Sequence, residues 1–200
     1  MPAKLYVISG PSGVGKSTLI HHVRDDIRDL GYTVSHTSRK PRANEQNGKA
    51  YHFVDRKTFQ KMIREKAFVE WAEVYDDFYG TSYEELNRQL NQGFDVILDI
   101  DIQGAAKIKK EFKNALLIYI FPPSLDVLEK RLRERATDDE SVIKKRLEKS
   151  IKELKNCEWY DYIVINNELN EATKRLEAVI LSERSRTSRM IVEIKGILPF

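Results

Sequence analysis

The stretch Gly10-Pro11-Ser12-Gly13-Val14-Gly15-Lys16-Ser17-Thr18 decides how this chain is read. It fits G-x-x-x-x-G-K-[ST], follows the apolar run Leu5-Tyr6-Val7-Ile8, and opens an amphipathic segment at Thr18. Glycines let the backbone wrap so that several N–H groups point inward, and a helix N-terminus behind them adds partial positive charge. The loop is therefore predicted to cradle a phosphate chain, with Lys16 reaching the β- and γ-phosphates and the Ser17 hydroxyl ligating Mg²⁺. The plain alternative is a glycine-rich turn with a stray lysine, which the strand before and the helix after disfavour.

Composition narrows what surrounds the loop. The 200 residues with 41% hydrophobic content suffice for one compact domain, with room for inserted subdomains. A formal charge of +3, from 34 Lys+Arg against 31 Asp+Glu, is too balanced to imply nucleic-acid binding. The single cysteine, Cys157, allows no intrachain disulfide, and a cytoplasmic setting is expected. No signal peptide is expected, because no basic region precedes a long apolar segment. The longest apolar run, Ala115 to Phe121, stops at Pro122-Pro123, far short of a membrane span, and reads as a buried strand.

Strand-like runs recur at Leu5–Ile8, Val96–Leu98, Leu116–Phe121 and Tyr162–Ile165, each followed by helical periodicity. That alternation predicts a parallel sheet flanked by helices. Ser82 with Glu85 forms a candidate capping box, Gly93 stops that helix, and Ser124 caps the next. Two regions break the pattern. Residues 35–81 are rich in Tyr, Phe, Arg and Gly, with strand candidates at Ala50–Val54 and Phe68–Trp71 around a helix near Lys57–Glu65. Residues 131–146 are almost wholly charged and read as a mobile flap. Beyond Ser185 the tail has no assigned role; Ile191, Val192 and Ile194 are candidates for an edge strand or a partner-facing surface.

Taken together, GPSGVGKST (10–18), TSRKPRANEQNGKAYHFV (37–54), FVEWAEV (68–74), FYGTS (78–82), VILDIDIQGA (96–105) and the charged run from Lys130 to Leu147 resemble guanylate kinase, the family that phosphorylates GMP with ATP. The resemblance runs from about Leu5 to Leu181. It implies a three-layer α/β P-loop nucleoside monophosphate kinase fold with a parallel core sheet. The core would comprise residues 1–34, 82–130 and 148–184, with a small α+β GMP-binding insertion at 35–81, a helical lid at 131–147, and residues 185–200 as a tail.

The resemblance also assigns roles. Gly10 through Thr18 would bind ATP, and Asp99 would hold waters of the Mg²⁺ shell alongside Ser17. Arg39 and Arg42, whose planar forks suit phosphate oxygens, would bind the GMP phosphate with Tyr51 and Tyr79. Guanine offers N1–H and an N2 amino group as adjacent donors and O6 as an acceptor. Ser35, Glu70, Thr81 and Asp101 match the family positions that read it. Without the family, Glu70 reads as a solvated strand residue, and Asp99 or Asp101 as a helix cap.

In the flap, Arg131 and Arg135 are four apart and share a helix face, while Arg133 points away. With Arg146, Lys16 and Arg39 they form the candidate set that carries charge during transfer. Thr81 stands where the family commonly has serine, and Ala136 where it commonly has glycine, which bears on lid flexibility. His21-His22 and the tail arginines read as solvated. The expected partners are ATP, GMP and dGMP, with neither nucleic acid nor membrane. Two other functions remain open at this point: a non-catalytic guanylate-kinase-like module that binds phosphopeptides, and a P-loop kinase for another small acceptor.

Overall fold

The computed structural model describes residues 3–42, 45–74, 76–134 and 140–197, the side chains of residues 141 and 142 excepted. Along the chain run β1 (Leu5–Ser9), α1 (Lys16–Asp26), β2 (Leu30–Tyr32), β3 (His36–Thr37), β4 (His52–Phe53), α2 (Arg56–Arg64), β5 (Phe68–Val74) and β6 (Asp77–Ser82). They are followed by α3 (Tyr83–Leu90), β7 (Asp95–Asp99), α4 (Ile102–Glu111), β8 (Leu116–Phe121), α5 (Leu125–Glu134), α6 (Glu140–Leu154), β9 (Tyr162–Ile165), α7 (Leu169–Arg184) and α8 (Thr187–Ile197).

Five strands form one sheet in the order β2-β7-β1-β8-β9, with β2–β7 and β8–β9 paired in parallel. The expected α/β class with a parallel core sheet is what the chain adopts. β1 and the first five residues of β8 are buried throughout, the near-continuous apolar reading of strands covered on both faces. A second, four-stranded sheet in the order β4-β3-β6-β5 lies within residues 36–82. α2 backs it through a buried cluster of Phe59, Phe68 and Phe78, whose rings stack at 4.4 and 5.3 Å.

By internal contacts the chain divides into two units: residues 1–3, 8–29 and 117–200, and residues 4–7 and 30–116. The first contains the phosphate loop, α1 and the charged helices α5 and α6. The second contains the four-stranded sheet, β7 and α4.

Local signals resolve in detail. Ser82 Oγ accepts the Glu85 N–H at 3.2 Å, but the Glu85 carboxylate turns to Arg88 at 2.8 and 3.0 Å, so only half of the capping box forms. Gly93 ends that helix with φ 78° and its N–H on the Leu90 carbonyl. β2 and β3 escape a periodicity reading because they have three and two residues. β6, which the sequence reading leaves unassigned, is a strand through its antiparallel pairing with β5.

The tail departs from its reading. Ile191, Val192 and Ile194 belong to a helix, α8, not to an edge strand. Met190, Ile191 and Ile194 are half-buried at helical spacing, which accounts for the pattern. Arg189 is only 7% exposed and so is not a solvated terminal residue. No helix among the described residues is long and apolar enough to cross a membrane.

Candidate active site

The first unit builds an anion cradle. Gly10, Gly13 and Gly15 have φ 146°, 85° and 92°, conformations that an L side chain rarely adopts. All three also permit close packing: a Cβ on Gly10 would lie 2.5 Å from the Ile120 carbonyl oxygen, one on Gly13 2.9 Å from Leu132 Cδ2, and one on Gly15 2.6 Å from Asn166 Nδ2. No side chain caps α1, whose N-terminus follows Gly15 directly. Lys16 Nζ donates to the Gly10 carbonyl at 2.8 Å, folding back over the loop. Pro11, Gly13 and Val14 are buried, whereas Ser12, Ser17 and Thr18 are exposed.

α5 contributes to the same cradle. Arg131 donates from Nη1 to the Val14 carbonyl and from Nη2 to the Asn166 carbonyl, both at 3.3 Å. Arg133 instead pairs with Glu129 at 2.7 Å and Glu140 at 2.6 Å on the exposed side. Arg146 lies half-buried on α6. Arg135 and Ala136 fall outside the described residues, so the proposed Arg131–Arg135 face is represented by Arg131 alone.

The second unit brings four of the predicted base-reading residues together. Glu70 is opposite Thr81 in the β5–β6 ladder, just past a register shift after Phe68. Such a bulge re-aims the side chains beside it. Glu70 is only 4% exposed, and its Oε1 accepts the Thr81 N–H at 2.9 Å. Thr81 Oγ1 and Ser35 Oγ are hydrogen-bonded at 3.2 Å. Asp101 caps α4, its Oδ1 accepting the Gly104 N–H at 2.8 Å. Burial pushes the Glu70 carboxyl up to about 7, and the Asp101 charge adds to this while the Thr81 donors oppose it. Glu70 is thus a buried acid, where its sequence alone reads as solvated.

A second cluster gathers cationic and phenolic groups. Arg39 stands 5.6 Å over the Tyr51 ring, and Tyr51 meets Tyr79 edge-on at 5.8 Å. Burial works against the Arg39 charge, but Glu45 and Tyr79 outweigh it and hold its pKa above the ordinary value. Burial likewise raises Tyr51, and the Asp99 charge adds to that, so its hydroxyl stays a donor. Arg42 is exposed. Asp99 ends β7.

Sequence reasoning missed Asn166, Glu45 and Gly104. Asn166 donates from Nδ2 to the Val14 carbonyl at 2.8 Å and is buried. The one available signal was a polar residue just beyond an apolar strand. Lys107, also missed, lies 4.9 Å over the Trp71 ring and donates to the Trp71 carbonyl, steadying the strand that carries Glu70.

A family model described as guanylate kinase matches residues 2–183. The chain is 44% identical over 186 residues to a guanylate kinase of Carboxydothermus hydrogenoformans, covering 93% of this chain and 91% of that protein. It is 42% identical over 197 residues to a guanylate kinase of Nitrosospira multiformis, covering 98% and 94%. The crystal structure of guanylate kinase from Anaplasma phagocytophilum aligns with a TM-score of 0.78 at 30% identity, covering 96% of this chain and 93% of that one. These matches extend over both the phosphate loop and the buried carboxylate of β5, and the chain belongs to the guanylate kinase family.

Proposed function

We propose that the protein transfers the γ-phosphoryl group of MgATP to GMP, giving ADP and GDP, with dGMP as a second acceptor. The observation that carries this is the buried Glu70 carboxylate, held by the Thr81 N–H and set beside Asp101, Thr81 and Ser35. Two carboxylates answer the adjacent donors of guanine, and the hydroxyls of Ser35 and Thr81 supply donors for O6. Adenine has an acceptor at N1 and lacks the N2 amino group, so it leaves the carboxylates facing lone pairs.

Arg39, Arg42, Tyr51 and Tyr79 hold the GMP phosphate. A phosphate monoester has its second pKa near ~6, so at neutral pH it is already mostly a dianion and needs no protein base. One of its oxygens attacks the γ-phosphorus in line. Lys16 exchanges its bond to the Gly10 carbonyl for phosphate oxygens, and Arg131, Arg135 and Arg146 carry the developing charge. The Ser17 hydroxyl and the Asp99 carboxylate are hard oxygen donors, which suit Mg²⁺. When bound, that ion neutralises charge on the β- and γ-phosphates. Residues 35–81 serve as the acceptor-binding subdomain, residues 131–147 as the lid, and the reaction takes place in the cytoplasm.

The test is an assay for ADP formation with GMP, AMP, UMP and CMP as acceptors. GMP should lead AMP in kcat/KM by roughly 10⁴-fold, the discrimination typical of a site built on hydrogen bonds to its substrate. Comparable efficiency with AMP overturns the reading. No ADP with any acceptor, alongside binding of a phosphoserine peptide, points to the non-catalytic module.

A further inference from the structure

We propose that Gly104 is the positioning residue of the guanine pocket: its missing side chain is the space in which the Glu70 carboxylate stands, and its N–H fixes the Asp101 carboxylate alongside. The inference rests on the reading of Glu70 and Asp101 as the groups that accept from guanine.

Gly104 is buried in the first turn of α4, and its backbone is ordinary. It is not among the glycines with positive φ. Conformational freedom therefore does not explain a glycine here, and inside a helix glycine is a weaker former than alanine. What explains it is proximity. A Cβ built on Gly104 would lie 2.5 Å from Glu70 Oε2, 3.1 Å from Glu70 Cδ and 3.4 Å from Asp101 Oδ1. Carbon and oxygen do not approach to 2.5 Å without a bond, so one of them has to move.

The group that moves is the carboxylate. The nearest atoms to that Cβ belong to the Glu70 and Asp101 side chains, not to backbone. Glu70 is held at its other oxygen by the Thr81 N–H, so displacing Oε2 pulls on the bond that orients the whole carboxylate. One residue thereby sets both acceptors, Asp101 through its N–H and Glu70 through the absence of a methyl group. Adjacent donors on a base require acceptors at a set spacing, and a shift of either one loses a charge-assisted hydrogen bond.

Gly104→Ala tests this in the full chain. The variant should melt no lower than the parent, since alanine is the better helix former and only a side-chain end has to shift. Its KM for GMP should rise about ten- to a hundredfold, the worth of a hydrogen bond to a charged group. Its KM for ATP should change by less than about twofold, and its preference for GMP over AMP should narrow.

Glu70→Asp, one methylene shorter, withdraws the carboxylate from the added methyl group. In that background the loss caused by Gly104→Ala should shrink to less than about threefold. Equal losses in both backgrounds overturn the proposal, as does an unchanged KM for GMP in Gly104→Ala. A Gly104→Ala chain that fails to fold overturns it too. Glu70→Gln in the same assay separates the two levels. If it leaves the GMP preference intact, the guanine reading itself fails. If it lowers the preference while Gly104→Ala does not, only the role of Gly104 is lost.

Discussion

The two oxygens of Glu45 close on the guanidinium of Arg39 at 2.8 and 2.9 Å, and one of them also accepts the Arg42 N–H at 2.8 Å. Both side chains are sheltered, 16% and 19% exposed. Burial opposes the Glu45 charge, yet the Arg39 hydrogen bond and the Arg42 N–H outweigh it and lower its pKa. Arg39 Nη1 donates to the Lys40 carbonyl at 2.8 Å as well, so this edge of the fork is fully engaged. A guanidinium clamped in this way presents a fixed plane to a phosphate.

Glu45→Ala should therefore raise the KM for GMP about tenfold through the freed motion of Arg39, while the KM for ATP holds. Steady-state kinetics on both substrates would decide it. A fall in the KM for GMP would mean that Glu45 competes with the phosphate for Arg39 rather than positioning it.

Glu70 and His36 give opposing pH dependences. Glu70 lies at about 7 against 4.5 for an exposed glutamate, so the folded chain holds that proton more tightly than the unfolded one. Its stabilisation is full below 4.5 and is lost as pH rises toward 7. Burial, helped by His52 and opposed by Glu85, lowers His36 from 6.5 to about 4. Its stabilisation is full above 6.5 and is lost as pH falls toward 4. Glu70→Gln removes the first slope, so urea denaturation should show the variant losing stability more steeply on acidification than the parent. Activity should follow as well under the proposed reading: protonation turns one Glu70 oxygen into a donor, which no longer complements the guanine donors that Glu70 and Asp101 share. The ratio of parent to Glu70→Gln in kcat/KM for GMP should rise through pH 7, and the ratio cancels the ionisation of GMP itself. A flat ratio from pH 6 to 8 would contradict the assignment.

Lys16→Ala should lower kcat about a hundred- to a thousandfold, the scale of losing one donor aimed at developing charge. Lys16 is only half-buried, so circular dichroism and melting should stay close to the parent. Normal turnover in this variant would remove the phosphate loop from the chemistry.

The tail should matter for folding and not for transfer. Glu183 is 1% exposed, accepting from the Tyr162 hydroxyl at 3.2 Å and pairing with Arg186 at 2.7 Å. A chain ending at Ser185 loses Arg186, the ion-pair partner of Glu183, together with the packing of α8, which leaves the Glu183 charge less well compensated. Its melting temperature should drop, while activity per folded molecule in the cold remains near the parent's. Lost activity in a chain that stays folded would place part of the site in α8.

The phosphate loop was legible because its meaning is local: glycine spacing, a strand before it and a helix after it. The long strands were legible for the same reason, and Leu116–Phe121 and Tyr162–Ile165 match at both ends. Glu70 was not legible from its own neighbours, because its burial depends on a bulge and on α4 packing over it. Asp101 reads equally as a cap and as a base reader, and it is a cap in the structure without losing its place beside Glu70. Glu45 escaped notice as one charge in a polar loop, and Asn166 because its partner Val14 is 152 residues away. The helix in the tail was not legible because three apolar residues in a short stretch fit either period, so an edge strand stayed open beside a partner-facing surface.

The Val14 carbonyl takes two donors, Asn166 Nδ2 from beyond β9 and Arg131 Nη1 from α5. Three remote pieces of chain are thus tied at a single oxygen of the phosphate loop, and none of them can open without disturbing the others. A nucleotide that stills the loop must also still the far end of β9 and the start of α7. Amide hydrogen exchange there should slow when ATP binds, although neither β9 nor the start of α7 contributes a residue to the proposed nucleotide site. The strand end would then act as a distant reporter of the occupied loop.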